Sequence, residues 1–328
     1  MKLEQLLEGV PFTLAQGSLD TEISDIIYDS RKAAPGLLFV CIVGTQRDSH
    51  EFAADCAAKG VSALVIQHDI DLSAMPGVTV VKVESSRYAM ALMSANLFGN
   101  PSRQMTMIGV TGTKGKTTTA HLLAAILQAD GRRVGLIGTN GACWPGHRHD
   151  LNHTTPESCD LQALLRRMAD DGCDTCIMEV SSLGLKADRV AGLAFAVGIF
   201  TNFSPDHIGP GEHADLAEYL HWKAALFPHC AAGVFNNDDA WVGKIRQGAP
   251  CRAVTYGIDR PADLRADADI MLTRTGGRLG ATFTVDGVPY TVGMPGAFSV
   301  YNALAALAAA RLLGAGEQAV RRGLAEAV

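Results

Sequence analysis

The segment Met107–Thr119, with the sequence MIGVTGTKGKTTT, places an apolar strand directly before a glycine-rich turn and a helix. Glycines in such a turn let the backbone curl until several N–H groups face one anion, and the helix N-terminus adds its dipole. Lys116 is placed to reach the outer phosphates of a nucleotide, and the Thr117 hydroxyl is placed to bind Mg²⁺. The match to the phosphate-loop pattern is imperfect, since Val110 stands where that pattern has its first glycine. The segment still predicts a nucleoside triphosphate site in preference to an ordinary strand–turn–helix.

The pattern continues towards the C-terminus and predicts a P-loop NTPase-like central domain over residues 101–316. Apolar runs predict strands at 107–111, 133–138, 175–180, 197–202 and 233–236. Helical spacing predicts helices at 117–128, 160–170, 219–227 and 303–313. Strands separated by helices form mostly parallel sheets. From about Cys251 to Met294, short alternating runs around Gly276-Gly277 and Asp286-Gly287 predict a small antiparallel β appendage.

The residues before this domain predict a second, Rossmann-like α/β domain over residues 1–100. Its strands are expected at 36–43, 61–67 and 78–83, and its helices at 52–59 and 87–98. Gly99-Asn100-Pro101-Ser102 supplies turn residues, and we place the domain boundary there.

Composition excludes several classes of protein. The chain has 328 residues, 48% of them hydrophobic and 19% charged, which is enough apolar surface for a folded core. A net charge of −6 argues against a nucleic-acid partner. No apolar stretch is long enough to span a bilayer, the N-terminus is not a signal peptide, and the 8 scattered cysteines favour a reduced, cytoplasmic protein. His147, His149 and His153 are expected to lie in a solvated loop.

Three groups of polar residues follow the predicted strands, where ligands collect in an open α/β sheet. Glu179 ends a strand and is placed to hold Mg²⁺ or its water beside the phosphates. The Asp206-His207 pair could bind a metal or substrate, although Ser-Pro-Asp is also a good turn. Lys223 lies on a largely apolar helix, and the residues alone leave open whether it reaches solvent or is a desolvated amine.

Taken together, these stretches resemble the Mur ligases, most closely their MurE branch. The resemblance runs through nearly the whole chain, and its Thr-Thr-Pro-Glu and Glu-Val-Ser-Ser segments favour MurE over MurF. The segments that carry it are 28–31, 35–40, 112–118, 154–157, 179–182, 184–185, 189–190, 201–207, the helix around Lys223 and 296–306.

The resemblance implies that ATP phosphorylates the terminal carboxylate of UDP-MurNAc-L-Ala-D-Glu and that the amine of a diamino acid attacks the acyl phosphate. By the same resemblance, ATP is bound by Gly112, Thr113, Lys114, Gly115, Lys116, Thr117, Thr118 and Asn302. The nucleotide sugar is held by Ser30, Thr154, Thr155, Ser181 and Arg189. The implied catalytic residues are Lys116, Glu179, His207 and Lys223. The implied Mg²⁺ ligands are Thr117, Glu179, His207 and a carbamylated Lys223.

The resemblance also implies a third domain that closes over ATP and supplies most of the amino-acid pocket. We expect residues 317–328 to begin the linker to it, and the two domains alone to turn over poorly, because closure completes such sites. Leu183, where the family often has His, keeps a non-catalytic nucleotide-sugar-binding paralogue open as an alternative. Another Mur-type ligase, such as a MurF-like one, is the second alternative. The identity of the added amino acid and the oligomeric state are not readable from the sequence.

Overall fold

The computed structural model describes residues 1–44, 47–267, 270–275 and 278–327. They form two contact units. The first comprises Met1–Pro101, Glu157–Arg166 and Ala187–Gly192. The second comprises the described residues of Ser102–Pro156, Arg167–Lys186 and Leu193–Val328. The first unit is therefore discontinuous in sequence, because the chain returns to it twice.

The first unit is built on a five-stranded sheet in the order β1-β5-β4-β3-β2. Its elements are α1 (Leu3–Leu6), β1 (Thr13–Gln16), β2 (Asp25–Ile27), β3 (Leu37–Val40), α2 (Ala53–Ala58), β4 (Ala63–Ile66), β5 (Thr79–Lys82) and α3 (Ser86–Leu97). Strands β2 to β5 are parallel, and β1 pairs with β5 in the antiparallel sense. Alternate side chains of β3 enter opposite cores, Leu38 and Val40 on one face and Phe39 on the other. The predicted alternation of strands and helices is confirmed, while α1, β1 and β2 were not predicted.

The second unit contains a nine-stranded sheet and a separate three-stranded one. Its elements up to the middle of the chain are β6 (Thr106–Thr111), α4 (Lys116–Ala129), β7 (Val134–Gly138), β8 (Gly141–Trp144), β9 (His147–His149), α5 (Ser158–Asp170), β10 (Thr175–Glu179), α6 (Ser182–Lys186), β11 (Phe195–Phe200) and α7 (Leu216–Ala224). The remaining ones are β12 (Cys230–Asn236), α8 (Val242–Arg246), β13 (Arg252–Gly257), β14 (Leu264–Arg265), β15 (Met271–Thr275), β16 (Arg278–Val285), β17 (Val288–Val292), α9 (Ala297–Leu312) and α10 (Glu317–Glu326). Most of α5, up to Arg166, groups with the first unit.

The order of the large sheet determines where a ligand can bind. It runs β14-β13-β12-β11-β6-β10-β7-β8-β9, parallel from β14 to β7 and antiparallel from β7 to β9. Strand β6 lies between β10 and β11, so the chain turns to opposite sides of β6 in successive steps. The carboxyl ends of these three strands therefore meet at a topological switch point, which is the usual ligand position in open α/β sheets.

Helices α4, α9 and α10 pack together in this unit, and α9 also contacts β11, β12 and β13. Residues Ala303–Ala310 of α9 are fully buried, which explains their alanine-rich sequence, since small side chains let a helix approach its neighbours closely. Leu122, Leu123 and Ile126 of α4 belong to the same core. This packing fixes the helix that follows the glycine-rich turn.

Two predictions of local structure were wrong. The antiparallel appendage is confined to β15, β16 and β17, because β13 and β14 continue the large parallel sheet. His147 and His149 form strand β9 instead of a solvated loop, and their rings stack on Trp144. The Asp286-Gly287 turn joins β16 to β17 as predicted, whereas Gly276-Gly277 and Val328 lie outside the described residues. In the described part of the chain, no helix has the length and apolarity needed to cross a bilayer.

Candidate active site

The turn between β6 and α4 uses glycine where no other residue fits. Gly112 and Gly115 have φ angles of +144° and +82°, in the region that side chains disfavour. A Cβ at Gly112 would overlap the Thr201 hydroxyl, and one at Gly115 would lie 2.5 Å from Asn302 Oδ1. Gly115 caps α4 without a side chain, so the first amides of this helix are left to face an anion.

Thr201 and Asn202, which follow β11, fix the outer part of this loop. The Thr201 hydroxyl and the Asn202 Nδ2 donate to the Lys114 carbonyl at 2.7 and 2.9 Å. Asn202 Oδ1 accepts from the Lys114 amide at 2.9 Å. Both backbone groups of Lys114 are thereby held, which leaves its side chain exposed beside the loop.

Two lysines share one acceptor beneath the loop. Lys116 Nζ donates to the Gly112 and Thr113 carbonyls at 2.9 and 3.0 Å, and Lys223 Nζ donates to the same Gly112 carbonyl at 2.8 Å. Lys223 is only 2% exposed, so of the two interpretations that the sequence left open, the desolvated amine is confirmed. Burial and the Lys116 charge hold the pKa of Lys223 well below its usual value, against the opposing effect of Asp206. Burial also lowers the pKa of Lys116.

Glu179, at the end of β10, is 2% exposed and turns its carboxylate towards the loop. Its Oε1 accepts from the Thr117 hydroxyl and the Thr139 amide, both at 2.9 Å, and its Oε2 accepts from the Thr139 hydroxyl at 3.2 Å. Thr139 was missed from the sequence, although its position just after β7 was a usable signal. Gly138 leaves room for this carboxylate, because a Cβ there would lie 2.7 Å from Glu179 Cδ.

The threonines of the segment 154–157 lie at the same sheet edge. Thr155 Oγ1 donates to the Glu179 carbonyl at 2.9 Å and accepts from the Ser181 amide at 3.0 Å. The Thr154 and Thr139 hydroxyls are 3.2 Å apart. The structure thus brings Thr154, Thr155 and Ser181 together with Glu179.

Asn302 lies beside the loop, with its Oδ1 close to Gly115, whereas His207 lies in the segment between β11 and α7. The His207 side chain is half-exposed; its Nδ1 lies 2.9 Å from Glu212 Oε1, and its amide donates to Asp206. Asn302 Oδ1, on α9, accepts from the Thr119 hydroxyl at 3.3 Å. Thr118 lies in the first turn of α4.

Ser30 and Arg189 belong to the first unit. Ser30 begins a 3-10 turn, and its carbonyl accepts from Lys59 Nζ at 3.0 Å. Arg189 donates to Glu157 at 3.0 and 2.6 Å, and Arg87 lies 3.1 Å from the other oxygen of Glu157. Glu157 therefore holds two arginines within this unit.

A second polar cluster, also in the first unit, was not predicted. Asp48 contacts His50 Nδ1 through one oxygen and His68 Nε2 at 2.7 Å through the other, and the two imidazole rings stack. His50 Nε2 accepts from the Gln67 amide at 2.9 Å, which places the proton of the neutral ring on Nδ1, facing Asp48. This arrangement does not suit a metal, because the nitrogen that would bind the ion already carries a proton.

Comparison with known proteins identifies the family. Residues 110–310, more than half of the chain, match the model of the Mur ligase middle domain. The chain belongs to the Mur ligase family. The matched range contains the glycine-rich loop, Glu179, Lys223 and Asn302, so the geometry above describes the middle part of a Mur ligase.

Relatives of this Mur ligase extend the match over nearly the whole chain. Proteins named UDP-N-acetylmuramoyl-L-alanyl-D-glutamate--2,6-diaminopimelate ligase from Clostridium botulinum, Clostridium perfringens and Clostridioides difficile are 37%, 34% and 38% identical to it. The matches cover 99%, 100% and 99% of this chain but 66%, 68% and 66% of the relatives. It is thus a homologue of the MurE-type enzymes that spans about two-thirds of their length.

Solved structures agree on the fold. One of a UDP-N-acetylmuramoyl-L-alanyl-D-glutamate--2,6-diaminopimelate ligase has a TM-score of 0.81 at 23% identity, covering 99% of this chain and 66% of that one. A MurF structure from Acinetobacter baumannii has a TM-score of 0.68 at 21% identity, covering 100% of this chain and 68% of that one. The predicted fold class, an α/β Mur ligase architecture with a small antiparallel appendage, is confirmed.

Proposed function

We propose that this Mur ligase binds ATP and UDP-MurNAc-L-Ala-D-Glu and belongs to an ATP-dependent ligase that adds a diamino acid to the dipeptide. The observation that supports it best is the loop itself, where Lys116 and Lys223 converge on the Gly112 carbonyl beside the Thr117–Glu179 hydrogen bond. Among the described residues, the printed hydrogen bonds of Lys116 Nζ go to backbone carbonyls, so its positive charge is available to an incoming polyphosphate. The names of the relatives supply the substrate class.

In this proposal the residues act in two groups. Residues 1–100 form the domain for the uridine nucleotide, and residues 101–316 form the ATP domain. Lys116 and the loop amides bind the phosphates, and Asn302 lies on the adenine side. Ser30, Thr154, Thr155, Ser181 and Arg189 hold the nucleotide sugar and its peptide.

The residues around Glu179 fit Mg²⁺. A buried carboxylate 2.9 Å from a threonine hydroxyl offers the oxygen ligands that Mg²⁺ prefers. Thr117 and Glu179 would hold one ion, and His207 and Lys223 would serve a second. Bound Mg²⁺ would offset charge on the phosphates while a carboxylate oxygen attacks the γ-phosphorus. ADP leaves, the amine then attacks the acyl carbon, and phosphate departs.

Lys223 fits this scheme as a carbamate. Burial lowers the pKa of Lys223, which raises the fraction of unprotonated amine, the form that reacts with CO₂. Carbamylation replaces the cation beside Lys116 with an anion, so it removes a like-charge contact and supplies an oxygen ligand. Mass spectrometry of protein kept in bicarbonate detects the added mass of CO₂.

Calorimetric titration of the unsubstituted 328-residue chain tests the proposal. We expect ATP to bind in the presence of Mg²⁺, UDP-MurNAc-L-Ala-D-Glu to bind separately, and the two together to give slow ADP release, since closure completes such sites. The acyl phosphate is trapped with hydroxylamine. If neither ligand binds at millimolar concentration, the proposal is wrong. Nucleotide-sugar binding without ATP binding indicates the non-catalytic paralogue instead, and a panel of UDP-MurNAc peptides separates MurE-type from MurF-like substrate choice.

A further inference from the structure

His213 is the most deeply buried histidine of the described residues and has no part in the scheme above. It is 0% exposed, and its Nε2 lies 2.8 Å from the Ser182 hydroxyl. No hydrogen-bond partner for its Nδ1 is present among the described residues, and the nearest carboxylate oxygen, of Glu218, is 4.0 Å away. Among the described residues, the contact with Ser182 is therefore the polar contact that the buried imidazole makes.

The ring of His213 is connected to the amine of Lys223 through the ring of Tyr219. It lies 5.1 Å from the Tyr219 ring at a tilt of 36°. Lys223 Nζ lies 4.4 Å from the centre of the same Tyr219 ring, and the Tyr219 hydroxyl is 3.2 Å from Thr113 Oγ1. A continuous set of contacts therefore runs from Ser182, at the start of α6, to Lys223 beneath the glycine-rich loop.

The backbone of His213 also holds His207. Its amide donates to the His207 carbonyl at 3.1 Å, and its carbonyl accepts from the Gly209 amide at 3.1 Å. His207 has a φ of +52°, a left-handed backbone conformation that a residue other than glycine keeps only when its surroundings hold it there. These two backbone hydrogen bonds close a short loop that ends at the buried His213.

We infer that His213 is a positioning residue that sets the place of both Lys223 and His207, and so shapes the second Mg²⁺ site. The inference rests on the proposed function, in which these two residues serve that ion. It adds a residue whose own side chain contacts neither nucleotide nor metal, and whose loss changes the metal requirement more than substrate binding.

The test uses His213→Phe, which keeps a ring but removes both nitrogens, and His213→Gln, which keeps an amide near the Nε2 position. His221→Gln, an exposed histidine of the same helix as Lys223, is the matched control. Two readouts are measured: the Mg²⁺ concentration that half-saturates ATP binding, and the ¹³C NMR signal of Lys223 in ¹³C-bicarbonate. We expect His213→Phe to raise the Mg²⁺ midpoint about tenfold and to weaken the carbamate signal, while the Kd for UDP-MurNAc-L-Ala-D-Glu stays within about twofold. His213→Gln recovers part of both, and His221→Gln changes neither.

Ser182→Ala keeps the test decisive if His213→Phe does not fold. It removes only the partner hydroxyl, and we expect the same direction of change; in the double variant the two effects do not add. A normal Mg²⁺ midpoint in Ser182→Ala, or additive effects in the double variant, overturns the inference. Failure of the proposed function is recognised separately, because it shows in the unsubstituted chain as the absence of Mg²⁺-dependent ATP binding.

Discussion

Both units place polar side chains beyond the carboxyl ends of parallel strands, but the described side chains there have different kinds of hydrogen-bond partner in the two units. In the second unit, Lys116 and Lys223 donate to the Gly112 carbonyl, so neither amine is paired with a carboxylate in these hydrogen bonds. In the first unit, His50 and His68 both contact the carboxylate of Asp48, which already balances them. The two sheet edges thus differ in whether the nitrogen donors beyond the strands already have an acid as partner.

The largest expected effect comes from removing the Lys116 amine. Lys116→Met should weaken ATP binding by at least about 100-fold, because the loop loses the ammonium that faces the outer phosphates. Calorimetric titration with ATP and Mg²⁺ measures it. Lys244→Met, which removes an exposed lysine of the same unit, is the control and should bind ATP normally. Equal losses in both variants would mean that overall charge, not the loop, governs binding.

Changing the carboxylate of the site should have the next largest effect. Glu179→Gln keeps the volume but removes the charge that faces Thr117, and we expect the Mg²⁺ midpoint for ATP binding to rise about 10- to 100-fold. Titrating Mg²⁺ at fixed ATP measures this change. Glu317→Gln, in the first turn of α10, is the control. A normal Mg²⁺ midpoint in Glu179→Gln contradicts its role as a metal residue.

Backbone shape is tested with two glycines of the second unit. Gly112 and Gly131 both have positive φ, and alanine at either should lower the free energy of unfolding by about 1–2 kcal/mol. A Cβ at Gly131 meets open space, whereas one at Gly112 overlaps the Thr201 hydroxyl. Only Gly112→Ala should therefore lose further stability and ATP affinity, as followed by urea unfolding and nucleotide titration. Similar behaviour of the two variants would show that strain alone explains the glycine.

The smallest effect is expected in the cluster of Asp48, His50 and His68. Burial opposes ionisation of Asp48, but hydrogen bonds from His68 and His50 outweigh it and lower the pKa of Asp48 to about 2. The hydrogen bond to Asp48 raises the pKa of His68. The stability from His68 is therefore complete below its ordinary pKa of 6.5 and is lost as pH rises through the raised value. The stability from Asp48 is present above its ordinary pKa of 3.8 and is lost as pH falls through about 2.

Asp48→Asn tests this account by NMR titration of the histidine rings. We expect the pKa of His68 to fall back towards 6.5 and ATP binding to stay unchanged. A pKa that does not move would show that the Asp48–His68 pair is not formed in solution.

Residues fixed by local rules were predictable from the sequence, and residues fixed by packing were not. Gly112, Gly115 and Lys116 follow from the backbone demands of a strand–turn–helix, and Glu179 follows from its place at a strand end. Thr139 directly follows β7 and could have been found by the same rule, whereas His213 escaped prediction because its contacts depend on which distant segments become neighbours.

Strand β9 shows the same limit on the fold. His147 and His149 lack the apolar alternation of a strand, and they adopt one because β8 offers a free edge and Trp144 a surface for stacking. The role assigned to His207 stays a prediction, since its hydrogen bonds go to Asp206 and Glu212.

The two returns of the chain to the first unit have a consequence for synthesis. Cys159 belongs to the core of that unit, and Glu157 and Arg189 form a partly buried ion pair in it. A ribosome that has released only residues 1–101 has therefore not yet supplied the parts that complete this unit. The first unit can be completed only when the chain has been synthesised to about residue 192, and the glycine-rich loop has emerged before then. The first unit of this protein thus begins to fold first and is completed only after the glycine-rich loop has left the exit tunnel.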